Sequence, residues 1–140
     1  MSRESRLLAG VLLVTIPTVM SGGMTLLSML AGRADGYADN PFRQDMWRAG
    51  HAHAGVYLIL SLVMLRYVDE ADLGPGWKWV ARLGAPIAAI LIPAGFFLST
   101  LSPSASTPTT LLRLVYPGAA ALGIAVVTLG VGLIRAARRP

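Results

Sequence analysis

The stretch Leu111-Leu-Arg-Leu-Val-Tyr-Pro-Gly-Ala-Ala-Ala-Leu-Gly-Ile-Ala-Val-Val-Thr-Leu-Gly-Val-Gly-Leu-Ile134 carries a single charged side chain, Arg113. A helix rises about 1.5 Å per residue and a hydrocarbon core is about 30 Å thick, so this run is long enough to cross a bilayer. Three runs of the same kind precede it, at about residues 7–32, 50–68 and 80–101. Together they predict an all-α integral membrane four-helix bundle, one transmembrane domain over residues 1–140. Composition agrees with that reading. Of 140 residues, 54% are apolar and 14% charged, with a mean hydropathy of +0.60. A soluble domain carries about a quarter charged residues. The first run follows Met1-Ser-Arg-Glu-Ser-Arg6. It is too long for a signal-peptide core and lacks a small-x-small cleavage site, so it reads as a true span.

An even number of crossings leaves both termini on one side. That side and the second loop hold Arg3, Arg6, Arg66, Lys78, Arg82, Arg135, Arg138 and Arg139, against Arg33, Arg43, Arg48 and Arg113 opposite. The positive-inside rule then predicts cytoplasmic termini in a multi-pass protein of the cell membrane. Trp77, Trp79 and Tyr67 fall at the inner interface, Trp47 and Tyr116 at the outer one, as aromatic belts do. The net charge of +5 is thereby explained by topology, and no nucleic-acid partner is expected. The absence of cysteine excludes disulfides, thiolate metal sites, iron–sulfur clusters and covalently attached haem. No Asp, Glu, Lys or Arg lies in the middle of a span, which argues against proton-coupled transport. Acid–base or nucleophilic chemistry by protein groups alone is not expected either.

The fourth span is rich in small residues, with the pairs Ala119 and Gly123, and Ala121 and Ala125, at small-xxx-small spacing. Such pairs let backbones approach closely, either within the bundle or in a homodimer or larger membrane complex. Pro17, Pro93 and Pro117 each remove a backbone donor. Thr15, Thr18 and Ser21 are placed to satisfy carbonyls freed near Pro17.

The chemistry-bearing segment is Trp47-Arg-Ala-Gly-His-Ala-His-Ala-Gly-Val56, which holds both histidines of the chain. It reads as the outer, extracytoplasmic start of the second span, where the positive end of the helix dipole favours a neutral, ligating imidazole. At 100° per residue His51 and His53 point about 200° apart on a regular helix. They do not easily chelate one ion, so either His51 lies in an entry turn or one ring faces another helix. Met24 and Met29 on the first span, Phe96 and Phe97 on the third and Tyr116 on the fourth share this depth; Met20 and Met24 share a helical face. Imidazole with thioether suits haem iron or copper. Small neighbours (Gly50, Ala52, Ala54, Gly55) leave room for a flat macrocycle, and Arg48 and Arg113 can meet its carboxylates. The candidate set is therefore His51, His53, Met24, Arg48, Arg113 and Tyr116, with His51 and His53 as metal ligands. Equally open at this point are helix-capping histidines, gap-filling methionines and arginines that meet lipid phosphates or Asp35, Asp39 and Asp45.

Arg48-Ala-Gly-His51, followed by Ala52-His53-Ala54, resembles the second transmembrane helix of haem–copper oxidase subunit I and its nitric-oxide-reductase relatives. The His-x-His at a helix start is similar to that of haem- and copper-containing membrane proteins of the NnrS type. The resemblance covers about ten of the 140 residues. It implies His51 or His53 as an axial ligand of haem b, with Arg48 beside a propionate. The chain has far fewer spans than the oxidases and no histidine on another helix, so dioxygen reduction is not implied. Three readings stand: a haem b protein, with copper as the alternative, for electron transfer, sensing or cofactor handling; a non-enzymatic accessory subunit docking through its fourth helix; and a small channel gated by histidine protonation.

Overall fold

The computed structural model describes residues 1–139. Its helices are α1 (Arg3–Ala31), α2 (Pro41–Tyr67), α3 (Pro75–Leu98) and α4 (Val115–Ala137), the last entered through a 3-10 turn, Thr110–Leu114. Each is long and apolar enough to cross a membrane, α4 counted with its entry turn. The chain is thus an all-α, four-helix membrane protein. The helices outrun the apolar runs, and the reason lies in the caps. The Asn40 side chain accepts from the Arg43 N–H at 3.1 Å and Pro41 takes the first helical position, where its missing donor costs nothing. The second helix therefore begins at Pro41 rather than near residue 50. Ser2 caps α1 by accepting from the Ser5 N–H at 3.2 Å, and Pro75 opens α3. At Pro17 the hydroxyls of Thr15 and Thr18 bond to the carbonyls of Leu12 and Thr15, each at 2.7 Å. The carbonyl that Pro17 deprives of an i,i−4 donor is that of Leu13, so these bonds do not replace the missing one.

Neighbours in sequence are neighbours in space. The α3–α4 and α2–α3 seams are extensive, the α1–α2 seam is thinner, and α2 meets α4 only slightly. Met64, Val68, Ala71, Ala81, Ala85, Ala125 and Leu129 form the core where α2, the following loop, α3 and α4 converge. Alanine and glycine set the closeness there: Ala125 is fully buried, and a Cβ on Gly84 would meet its methyl and stand 2.5 Å from the Ala121 carbonyl oxygen. Ala121 and Ala125 thus pack within the bundle, while Ala119 and Gly123 stay exposed on the other face of α4. By contrast, the only buried residue of α1 is Ser5.

Polar clusters fasten each end of the bundle. At the end with the termini, Arg82 (7% exposed) ion-pairs with Asp69 at 2.8 Å and donates to Ser5 Oγ at 3.0 Å, while the Ser2 N–H donates to Asp69 at 2.7 Å. Burial raises the Asp69 carboxyl, but the bonds from the Ser2 N–H, Arg82, Ser5 and the Ser2 hydroxyl outweigh it and hold the group at about 2, below its ordinary 3.8. At the other end the Arg43 guanidinium donates to the carbonyls of Thr100, Gly36 and Leu101 at 3.0, 2.8 and 3.1 Å. It lies 4.1 Å from the centre of the Trp47 ring, whose Nε1–H donates to Thr100 Oγ1 at 3.1 Å. Gly36, in the left-handed region at φ +66°, lets Pro103 lie against it, so the first and third loops close on each other.

Candidate functional site

With α2 starting at Pro41, His51 and His53 sit well inside a continuous helix rather than at its mouth. At about 1.5 Å per residue His51 lies about 15 Å from the first helical residue. A helix-end field fades within one turn, so the dipole of α2 does not favour a neutral imidazole at either histidine. What surrounds each ring must decide its role, and the two surroundings differ.

His53 turns toward α3. Its Nδ1 is 2.7 Å from the Ala49 carbonyl oxygen one turn back, which accepts from the ring and fixes the proton on Nδ1. The ring stacks on Phe96 with centroids 5.3 Å apart and tilts against Tyr57 at 5.4 Å. Next to it Gly50 gives α3 its approach: a Cβ there would stand 2.9 Å from a Phe97 ring carbon. His53 is engaged by two aromatic rings and at one nitrogen.

His51 turns the other way, toward α1. Its ring lies in a notch made by Gly22 and Gly23: a Cβ on Gly23 would be 2.8 Å from Nε2, and one on Gly22 3.8 Å from Nδ1. A methyl at Gly23 would press on the end of the ring, whereas one at Gly22 would only touch it. No hydrogen bond is made by either ring nitrogen among the described residues. Beside the ring runs a groove of about 250 Å³, bounded by Ile16, Val19 and Met20 of α1 and by Gly55, Leu58 and Ile59 of α2. Imidazole is the one strongly polar group in that lining. Both walls follow from helical spacing, since Ile16, Val19 and Gly23 on α1, and His51, Gly55 and Leu58 on α2, recur at three or four residues.

The six residues anticipated for one site do not assemble as one. The two rings diverge, as 100° per residue demands. Met24, as exposed as Met20 at 64% against 65%, lies outside the groove, and Tyr116 is 75% exposed. Arg48 pairs with Asp45 at 2.8 Å on the surface, and Arg113 is exposed in the entry turn of α4. None of these four, nor His53, lines the groove. The sulfur-bearing residue that does share it with His51 is Met20, while Gly22 and Gly23 of α1 face the ring itself. The signal for them was present, because Met20 stands one turn before Met24 and Gly22-Gly23 interrupts an otherwise bulky helix, but helix rotation was needed to read it. Among the described residues no cluster of three or more His, Cys, Asp or Glu is placed to hold a metal ion. The chain matches no known protein family, no curated protein and no solved structure.

Proposed function

We propose that this small multi-pass membrane protein binds haem b in the α1–α2 groove, its flat macrocycle against the apolar walls, with His51 as the anchoring ligand, for electron transfer, sensing or cofactor handling. The observation that carries the reading is the unpaired imidazole of His51 in an otherwise apolar groove. The donor set fits: an imidazole and the Met20 thioether line one lipid-depth groove, and nitrogen with soft sulfur is a ligand pair that haem iron accepts. Copper takes the same donors and is the alternative cargo. When bound, haem supplies one-electron chemistry or a seat for a small diatomic ligand at its iron. The chain itself supplies a ligating nitrogen, an apolar wall that excludes water, and a glycine-faced helix able to yield. His53, bonded to Ala49, stacked on Phe96 and tilted against Tyr57, serves packing.

A second reading has its own observation. Helix α1 buries only Ser5 and leaves Leu7, Val11 and Val14 exposed. An accessory subunit whose first helix leans on a larger membrane complex accounts for that surface. One experiment separates the two. The protein purified in mild detergent, before and after incubation with haem, is expected to show a Soret band with bound iron near one per chain. A colourless, well-folded protein that takes up neither haem nor copper ends the first reading, and a stoichiometric co-purifying protein then supports the second.

A further inference from the structure

A second groove lies at the end of the bundle that carries the termini, distant in sequence from the histidines and independent of the reading of His51. It has a volume of about 310 Å³ and is lined by Leu73, Trp77, Val127, Thr128, Val131 and Arg135. Val127 and Val131 are one turn apart on α4, so the apolar floor runs along the helix axis, the direction an acyl chain takes in a bilayer. Arg135, one turn further, stands at its polar end, across from the exposed indole of Trp77.

Position rather than pairing alone singles out Arg135. Arg3, Arg6, Lys78 and Arg138 at this end also make no ion pair among the described residues, but Arg135 is the charged side chain in the lining of this groove. At this end Arg82 is paired with Asp69, Arg66 with Glu70 and Arg139 with Asp72. Arg135 has no carboxylate partner among the described residues, although it fronts a groove that is otherwise apolar. A guanidinium takes a phosphate oxygen pair through two parallel N–H bonds, and a Trp ring is at home at the headgroup level. Unpaired cation, interfacial indole and axial apolar floor complement a phosphate headgroup, and a chain that lies down the helix below it.

We infer that this groove is a binding site for one anionic phospholipid, its phosphate on Arg135 beside Trp77 and one acyl chain along Val127 and Val131. A basic side chain near an anionic membrane surface contributes a preference of about fivefold. Native mass spectrometry of the detergent-solubilised full chain, offered equal amounts of phosphatidylglycerol and phosphatidylcholine, reads that preference directly. The wild type is expected to retain phosphatidylglycerol about fivefold over phosphatidylcholine, and Arg135→Gln to fall to near parity. Arg138→Gln removes the same charge outside the groove and is expected to keep the preference. Val127→Trp fills the floor at an exposed position without altering charge, and is expected to lower the retained lipid. Equal losses in Arg135→Gln and Arg138→Gln, full retention in Val127→Trp, or no preference in the wild type each overturn the site.

Discussion

Along the α3–α4 seam two backbones are pressed together, with Gly84 against Ala125 and the Ala121 carbonyl, and Gly118 against Ile92. Along the α1–α2 seam the glycines of α1 face a side chain instead, the ring of His51, and the seam stays open beside it. Both seams use small residues, yet one closes and the other leaves a groove. What differs is the partner. Glycine opposite alanine brings helices to van der Waals contact, the close approach that membrane helices need in the absence of a hydrophobic drive between them. Glycine opposite imidazole admits a ring, which holds the backbones apart and leaves a groove beside it. A closely packed three-helix unit and a more thinly applied first helix are the result.

Three substitutions break or sharpen this contrast, in decreasing order of effect. The largest is expected from Asp69→Asn, which leaves the Arg82 guanidinium, 7% exposed, without its charge partner and weakens the tie to Ser2. Losing one member of a buried pair costs about 3 kcal/mol, visible as a lower unfolding midpoint in detergent. The same carboxyl dictates a pH dependence. Its folded value of about 2 lies below the ordinary 3.8, so its contribution is complete above pH 3.8 and drains away as pH falls toward 2. Hydrogen exchange of the α1 amides is expected to quicken through that window, and no change in Asp69→Asn there confirms the source.

Gly84→Ala comes next. Its methyl meets Ala125 and stands 2.5 Å from a backbone oxygen, and neither neighbour can rotate away, so forced overpacking of about 2 kcal/mol is expected in the same unfolding assay. Gly23→Ala is the mirror experiment on the open seam. Its methyl meets only the end of the His51 ring, which can swing into the groove, and a cost under about 1 kcal/mol is expected. If Gly23→Ala destabilises as much as Gly84→Ala, the first helix is as tightly seated as the others and the contrast is lost.

The number, type and approximate place of the helices were legible in the sequence, because runs such as Val115 to Ile134 have one viable structure in hydrocarbon. The divergence of the two histidines was legible too, from residue spacing alone. The true start of α2 is signalled by Asn40-Pro41, a capping side chain followed by proline, but its first turns carry Arg43, Gln44, Asp45 and Arg48. Hydropathy alone therefore begins the helix near residue 50 and puts the histidines at a mouth they do not occupy. The partner wall of His51 was hidden for a different reason. Which face of α1 turns inward depends on rotation about its axis, and a helix whose side chains are almost all apolar shows little periodicity to fix that rotation. Met20 and Met24, one turn apart, could not be told apart as groove lining and lipid surface.

The division of labour between the histidines is the claim on which the rest depends, and haem titration of paired variants tests it most directly. With the wild-type protein reconstituted alongside, His51→Ala is expected to abolish the Soret band while keeping a near-native unfolding midpoint. His53→Ala is expected to keep the band and to lose about 1–2 kcal/mol of stability through its stacking and its bond to Ala49. A band that survives His51→Ala, or that vanishes only in His53→Ala, contradicts the assignment of the groove beside α1 as the binding site.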